Sequence, residues 1–341
     1  MNIIPSAQHY FKSGLCASRN NAGPEAIELY TRAIEIDPDY ASAYYNRGRE
    51  YDTIGQIEKA IADYGRSLEL RPTADAYYNR GLAYRKISDF AAAIKDYDRA
   101  IELDATHVRA WNNRGNALYL LGEFIAAIAS YSSCLSLDPV FAPAWYNRGC
   151  ACDELGRYDR ALADYTRAIE LEPRCEAYYN RALALRTIGK HARAIDDFSA
   201  ALECNPGFIK AFNNRGNAYA DLQQTARALQ DYSDALVLDP GYTDALYNRG
   251  LLLAELGRLR EAIEDYSCCL GFEVNCSETW NNRGAAYAEM GDYNQAICDF
   301  NRALEIDSDN AKACENRIAA FKQRQCHFTQ RRNSAGGRAG R

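Results

Sequence analysis

Apolar and aromatic side chains recur along this 341-residue chain in short blocks with helical spacing, separated by polar residues. In one block an Ala is followed four residues later by Tyr or Phe, which places both side chains on one face of a helix. The copies of this Ala are Ala60, Ala93, Ala127, Ala161, Ala194, Ala228, Ala262 and Ala296. Their aromatic partners are Tyr64, Tyr97, Tyr131, Tyr165, Phe198, Tyr232, Tyr266 and Phe300. The pattern predicts amphipathic helices along most of the chain.

A second block carries the string Asn-Arg-Gly, usually with an aromatic residue two positions before the Asn. The copies run from Asn46 to Asn282 and start 33 or 34 residues apart, and Ala182 replaces the Gly in one of them. A regular period of this size indicates stacked structural units, none of which can bury its apolar face alone.

Residues that end or join helices fall at fixed places in this period. Seven residues after the motif Gly stands another Gly in most units, such as Gly55, which predicts a left-handed turn between two helices. Between units, pairs such as Asp37-Pro38 predict a capping carboxylate at the start of the next helix. We also expect the motif Gly and the Ala twelve residues later, such as Gly149 and Ala161, to face each other where the helices cross.

Taken together, these positions resemble the tetratricopeptide repeat, whose signature combines aromatic residues, a Gly, an Ala and a final Pro at set intervals. A weaker first copy is formed by Tyr10, Gly14, Ala26, Tyr30, Ala33 and Pro38. The chain would then divide into an N-terminal tail (1–5), nine tandem repeats (6–310), a C-terminal capping helix (311–325) and a disordered basic tail (326–341). The resemblance implies an all-α fold, a right-handed superhelical α-solenoid of antiparallel helix pairs.

Composition narrows the class of protein further. No stretch approaches the length of apolar sequence that a membrane helix needs, and the first residues lack the charged and apolar regions of a secretion signal. The 12 Cys are scattered over unrelated repeat positions without a Cys-x-x-Cys pair. We therefore expect reduced thiols and a cytoplasmic location.

The sequence contains no arrangement typical of an enzyme. The four His residues fall in different registers of the repeat, so stacking cannot bring them together as metal ligands. No Gly-rich phosphate-binding loop between a strand and a helix is present. We expect a non-enzymatic chain that needs no metal and no cofactor.

The Arg of the motif stands where the family usually has Leu, and its charge needs compensation. Sixteen residues further on most repeats have Asp, as in Arg181 and Asp197, whereas Ser130 takes that position once. This spacing predicts a cross-helix ion pair with a structural role. The competing hypothesis is a solvent-facing basic stripe for nucleic acid, which makes an RNA-binding helical-repeat protein the alternative function.

By resemblance, the first helix of each pair lines a concave groove, and the lining positions include the motif Asn and the residue before it. The Asn positions are Asn46, Asn79, Asn113, Asn147, Asn180, Asn214, Asn248 and Asn282. The preceding Tyr positions are Tyr45, Tyr78, Tyr146, Tyr179 and Tyr247, with Asn in the other copies. The resemblance implies a protein–protein interaction scaffold that binds an extended peptide segment of a partner, without membrane insertion and without a nucleic-acid ligand.

Two questions about this groove stay open at the level of sequence. The Asn amides could bind a peptide backbone, or they could bond neighbouring helices and stabilise the stack. The lining charges are also uneven, since cations cluster in the early repeats and acids follow in the later ones. The cations are Arg49, Arg85, Lys86 and Arg109, and the acids are Asp153, Glu154, Asp221, Asp244, Glu255, Glu278 and Glu289. This gradient could orient a ligand of opposite polarity.

Overall fold

The computed structural model describes the backbone of residues 6–336 and the side chains of residues 6–326, and the predicted tail at 1–5 lies outside this range. Within it the regular secondary structure is entirely helical. The chain forms two compact units, residues 1–173 and 174–341, which are treated separately here.

In the first unit, helices of thirteen and fourteen residues alternate. These helices are α1 (Ala7–Arg19), α2 (Gly23–Ile36), α3 (Ala41–Thr53), α4 (Ile57–Leu70), α5 (Ala74–Lys86), α6 (Phe90–Leu103), α7 (Val108–Leu120), α8 (Phe124–Leu137), α9 (Ala142–Glu154) and α10 (Tyr158–Leu171). Each odd-numbered helix packs on the even-numbered helix that follows it, and from α3 onward the odd-numbered helices carry the motif. We call the two members of a pair the first and second helix.

The second unit continues the same alternation and ends in a longer helix. Its elements are α11 (Cys175–Thr187), α12 (His191–Cys204), α13 (Ile209–Asp221), α14 (Thr225–Leu238), α15 (Thr243–Glu255), α16 (Leu259–Phe272), α17 (Ser277–Glu289), α18 (Tyr293–Ile306) and α19 (Ala311–Gly336). Within each unit, every first helix after the initial one also contacts the second helix before it. The all-α fold of stacked antiparallel helix pairs is therefore confirmed within each unit.

The turn inside each pair has the predicted left-handed backbone. Gly55 has a φ of 78°, which a residue without Cβ adopts at no steric cost. Ser88 and Gln223 replace Gly at this place and still have φ values of 61° and 58°. Because left-handed backbone costs an ordinary residue roughly 1–2 kcal/mol, these two turns are strained.

The junctions between pairs differ from the prediction. Asp37 ends α2 rather than capping α3, and its carboxylate accepts a hydrogen bond from the backbone N–H of Asp39 at 3.2 Å. The same local turn occurs at Asp138 and Asp239. The prediction of a carboxylate cap at the next helix was wrong because Asp can bond the backbone two residues ahead, which forms a turn instead.

The close approach of the two helices in a pair depends on an aromatic ring. A Cβ added to Gly149 would lie 2.8 Å from the ring of Tyr165, and one added to Gly115 would lie 2.5 Å from the ring of Tyr131. The buried ring is therefore the nearest neighbour of the motif Gly, and at Gly48 an added Cβ would also lie 3.3 Å from the carbonyl oxygen of Ala60, as the predicted Gly–Ala crossing requires. Ala161 itself is fully buried.

The motif Arg pairs as predicted. Arg148 donates to both carboxylate oxygens of Asp164 at 2.8 Å and to the Ser132 hydroxyl of the preceding second helix at 3.1 Å. Six further Arg–Asp pairs have the same spacing, namely Arg47–Asp63, Arg80–Asp96, Arg181–Asp197, Arg215–Asp231, Arg249–Asp265 and Arg283–Asp299. The copy with Ser130 is compensated differently, because Arg114 binds Asp98 of the preceding second helix at 2.6 Å and the Ser130 hydroxyl at 2.7 Å.

The C-terminal helix is longer than predicted. α19 continues past the expected end at residue 325 to Gly336, so the start of the tail at 326 was placed too early. Residues 326–335 contain neither Gly nor Pro, and several of them favour helix, so nothing in the sequence stops the helix there. Residues 337–341 of the predicted tail lie outside the described range.

Candidate functional site

The predicted groove residues all lie on first helices, at one position of successive pairs. Neighbouring first helices contact each other within each unit, such as α3 with α5 and α5 with α7. Within each unit, the Asn side chains and the residues before them therefore form two parallel rows on the face made by that unit's first helices. We call this the first-helix face and the two rows the Asn row and the Tyr/Asn row.

In the first unit, hydrogen bonds between consecutive repeats join the two rows. The Asn79 amide donates to the Tyr45 hydroxyl at 2.7 Å, and the Asn113 amide donates to the Tyr78 hydroxyl at 2.9 Å. The Asn147 amide reaches the side-chain oxygen of Asn112 at 3.3 Å. Asn46 instead bonds the carbonyl of Ser42 in its own helix.

The second unit shows the same connection. The Asn214 amide donates to the Tyr179 hydroxyl at 3.0 Å, and the Asn282 amide donates to the Tyr247 hydroxyl at 3.2 Å. The Asn248 and Asn316 amides bond the side-chain oxygens of Asn213 and Asn281 at 3.0 and 2.9 Å. Asn180 occupies the same position of α11 and is half-buried, and Tyr146 packs its ring on Tyr165 in the first unit.

The alternation of Tyr and Asn in the second row has a simple physical reason. Both side chains present an oxygen that accepts the amide hydrogen of the next repeat. Where the residue is Tyr, its ring also packs against the buried aromatic residue of its own pair, as Tyr45 does on Tyr64 with ring centroids 5.9 Å apart. One amide hydrogen of most row members is thus used within the stack.

The Asn row keeps hydrogen-bonding capacity for a ligand. Within the described residues, no donor engages the side-chain oxygens of Asn79, Asn214 or Asn248. An amide group carries two hydrogens, and in Asn79 and Asn248 the bond to the neighbouring repeat uses one of them, whereas the Asn214 amide also donates to the Lys210 carbonyl at 2.9 Å. Both possibilities left open by the sequence, stacking and binding, are therefore physically compatible in the same residue.

Two site residues were missed by sequence reasoning. The Asn116 oxygen accepts a bond from the buried Tyr131 hydroxyl at 2.9 Å and another from Asn147 at 3.0 Å. Asn217 accepts from the Tyr232 hydroxyl at 2.7 Å. The available signal was the longer string Asn-Arg-Gly-Asn, which occurs in these copies alone.

The charges on the first-helix face are partly engaged. Lys86 forms an ion pair with Asp52 at 2.7 Å, and the Glu154 carboxylate accepts from the Tyr119 hydroxyl at 3.1 Å. In the second unit Asp221 pairs with Arg186 at 2.9 Å. Arg49, Arg85 and Arg109 form no ion pair with any described carboxylate. 

The pKa values of the tyrosines in the Tyr/Asn row indicate which of these arginines lie near them. Burial raises the pKa of the Tyr78 hydroxyl, and the charges of Arg109 and Arg85 oppose that rise. Burial likewise raises the pKa of Tyr45, and Arg49 opposes it. Burial also raises the pKa of the Asp153 carboxyl, with a contribution from Glu154. The arginines therefore lie close to the Tyr/Asn row.

Other kinds of site are not evident in the described part of the chain. No group of three or more His, Cys, Asp or Glu side chains there could hold a metal ion. None of the helices described combines the length and apolar character required to cross a bilayer. The polar rows of the first-helix face are the remaining candidate site.

The fold and the rows define an all-α helical-repeat protein of the kind that presents a surface to other proteins. Tetratricopeptide repeat profiles match residues 41–73, 74–107, 108–141, 142–175, 175–208 and 277–310, and related repeat profiles match 23–51, 198–230, 216–257 and 243–272. These matches cover more than half of the chain. The chain belongs to the tetratricopeptide repeat family, whose members are typically non-enzymatic protein-interaction scaffolds.

Known proteins share shorter stretches. An uncharacterized protein of Methanocaldococcus jannaschii is 34% identical over 65 residues, which are 19% of this chain and 76% of that protein. Photosystem I assembly protein Ycf3 of Acaryochloris marina is 37% identical over 81 residues, which are 21% of this chain and about half (49%) of Ycf3. 

Solved structures of similar fold support the architecture. The C-terminal part of a TPR repeat-containing protein from Cytophaga hutchinsonii aligns with a TM-score of 0.60 at 21% identity, over 69% of this chain and 98% of that chain. At this level of identity the similarity concerns the fold alone.

Proposed function

We propose that this chain is an interaction scaffold that holds an extended segment of a partner protein along its first-helix face, the face that lines the concave groove in the family. The observation that carries the proposal is the Asn row, because Asn79 and Asn248 each keep an unused oxygen and a second amide hydrogen, and Asn214 keeps an unused oxygen. A peptide backbone offers one N–H and one C=O per residue, which such side chains can match without regard to sequence.

The spacing of the row suits an extended ligand. Packed neighbouring helices lie about 8–10 Å apart, and an extended chain advances about 3.3 Å per residue. One Asn can therefore engage roughly every third residue of a bound segment. Side-chain selectivity would come from neighbouring groups such as Tyr78 and Tyr179.

The relatives are consistent with a role in assembly. Ycf3 is named as a photosystem I assembly protein, and it is 37% identical to this chain over 81 residues. We extend to this chain only the general role of holding a partner during assembly. The scattered cysteines would be prone to oxidation outside a reducing compartment, so we place the chain in the cytoplasm.

The test begins with a partner captured from the native source and a set of peptides that tile the partner's sequence. Asn79→Ala with Asn113→Ala should weaken binding of the responsible peptide by tenfold or more, since each lost hydrogen bond is worth about 0.5–1.5 kcal/mol. Fluorescence anisotropy of the labelled peptide measures the change.

The matched control is Tyr45→Phe with Tyr78→Phe. It removes the same two bonds between repeats but leaves both Asn side chains in place. We expect both double variants to lose similar thermal stability and only the Asn variant to lose the larger part of the affinity. Equal binding by the folded Asn variant and by wild type would refute the proposal, and the Asn row would then be purely structural.

The alternative of RNA binding loses its main support. It required solvent-facing motif arginines, and these form buried or half-buried ion pairs, such as Arg148 with Asp164. Binding of a homopolymeric RNA with strong salt dependence would restore the alternative, because phosphate contacts release counterions.

A further inference from the structure

Some buried polar atoms of the first unit have no hydrogen-bond partner. Among the described residues, four buried side-chain polar atoms have no hydrogen-bond partner, and three of them are the Tyr30 hydroxyl, Arg85 Nε and the Tyr97 hydroxyl. Tyr30 and Tyr97 are themselves fully buried. A buried polar group without a partner costs about 1–3 kcal/mol, so such groups call for an explanation.

Equivalent tyrosines show where these hydroxyls point. The Tyr131 and Tyr232 hydroxyls bond Asn116 and Asn217, which lie on first helices one residue after the motif Gly. Tyr30 and Tyr97 occupy the same repeat position, but Leu15 and Leu82 stand where the Asn would be and offer no acceptor. The two orphan hydroxyls therefore lie beneath the first-helix face.

Three arginines surround this region without carboxylate partners. Arg49 lies on α3, Arg85 on α5 and Arg109 on α7, and we call them the cation cluster. Their charges act on the row tyrosines Tyr45 and Tyr78 and, for Arg85, on Tyr97, whose pKa is raised by burial and lowered by this neighbour. The unpaired guanidinium groups and the orphan hydroxyls thus belong to one surface.

Nearby acids do not neutralise the cluster. Asp52 is held by Lys86 at 2.7 Å, and the side chain of Asp75 is 79% exposed and lies 4.0 Å from the imidazole of His107. By contrast, the motif arginines Arg47 and Arg80 are each bound by two carboxylate oxygens. The cluster therefore differs from the structural arginines of the same unit in having no built-in anion.

We propose that the cation cluster binds oxyanions on the side chains of an acidic segment of the partner. The proposal rests on the proposed function and specifies the chemistry of the segment that lies on the first unit. Three guanidinium groups on three successive first helices suit several anionic side chains rather than a single chain terminus. Guanidinium groups form strong charge-assisted bonds with both carboxylate and phosphate, so glutamate and phosphoserine are the two possible sources.

The experiment uses the full chain and three short peptides with acetylated and amidated ends, identical except for Glu, phosphoserine or Gln at every third position. We expect the Glu or the phosphoserine peptide to bind at least tenfold more tightly than the Gln peptide at low salt. The tighter of the two identifies the source of the oxyanion. Equal affinity of all three peptides overturns the proposal.

Substitutions of the cluster arginines test whether the preference for the anionic peptide depends on the cation cluster. Arg49→Gln with Arg109→Gln changes two exposed side chains, so the fold should be retained, and the preference for the anionic peptide should fall by tenfold or more. Arg85→Gln should produce a further loss. The control for the loss of a single positive charge, matched to Arg85→Gln, is Arg99→Gln. Arg99 is an exposed residue that pairs with Glu102 on α6, and its replacement should leave the preference unchanged.

Other outcomes separate this proposal from the groove proposal. An equal loss in the Arg99 control and in the cluster variants would indicate a general charge effect and overturn the cation cluster. An oligouridylate that binds more tightly than the peptides and depends on the same arginines would identify a nucleic-acid surface, which also overturns it. If the captured partner's peptide depends on Asn79 and Asn113 but not on the arginines, the groove proposal stands and this one fails.

Discussion

Removing the guanidinium group of Arg148 should destabilise the first unit strongly. The Asp164 side chain is only 4% exposed and receives both of its ion-pair bonds from Arg148. Arg148→Leu therefore leaves an unpaired, nearly buried carboxylate, and loss of one member of a buried pair costs roughly 3–5 kcal/mol. The Ser132 hydroxyl stays satisfied because it also donates to the Ile128 carbonyl at 2.7 Å.

The double variant Arg148→Leu with Asp164→Leu should recover most of this loss. Apolar replacement of both partners removes the stranded charge, and such replacements are often close to neutral. The free energy of unfolding is measured by urea denaturation followed by circular dichroism. The coupling between the two sites is the cost of the double variant minus the summed costs of the single ones.

The copy with Ser130 provides an internal control. Asp98, the partner of Arg114, has a side chain that is 42% exposed, so water can solvate it when Arg114 is removed. Arg114→Leu should therefore cost about 1 kcal/mol or less, as for exposed ion pairs. The reasoning fails if Arg114→Leu and Arg148→Leu cost the same, or if the losses at Arg148 and Asp164 simply add.

Three further predictions concern packing, turns and thiols. Gly115→Ala should cost about 1–3 kcal/mol in urea unfolding because its Cβ would lie 2.5 Å from the Tyr131 ring, whereas a cost below the error of the measurement would contradict the tight crossing. Gln223→Gly should raise the free energy of unfolding by roughly 0.5–1 kcal/mol. The change removes the cost of a left-handed backbone at φ 58°, which is larger than the added entropic cost of ordering a Gly. A lower free energy of unfolding would show that this turn is not strained. Burial raises the pKa of the Cys134 thiol to about 12, so iodoacetamide should modify exposed Cys204 rapidly and Cys134 only upon unfolding, as peptide mass spectrometry can determine.

Much of the fold could be predicted because the same local sequence pattern occurs in successive repeats. The Ala and aromatic positions of the second helices, the left-handed turns and the Arg–Asp spacing each recur, so one ambiguous copy is corrected by the others. Arg114 could not be predicted in this way, because its carboxylate partner is Asp98 in the preceding second helix and not a residue sixteen positions later. Such a change of partner between two neighbouring second helices becomes apparent only when the packing of the helices is known.

The candidate site was predictable in position but not in bonding. The register of the repeat put Asn79 and Tyr45 on first helices, and that placement was correct. That the Asn79 amide donates to the Tyr45 hydroxyl depends on the spacing of consecutive repeats, which no single unit specifies. The end of α19 was misjudged for a different reason, because composition indicated disorder where no residue actually interrupts the helix.

A photo-crosslinking measurement tests the central claim most directly. A crosslinking amino acid is placed at Leu82 on α5, within the first-helix face, and in a matched variant at the exposed Lys95 on α6, a second helix. We predict that the captured partner is crosslinked to position 82 at one contiguous segment of its sequence. An excess of a peptide with the sequence of that segment should reduce the amount of crosslinked product. Crosslinking from position 95 with none from position 82 would contradict binding along the first-helix face.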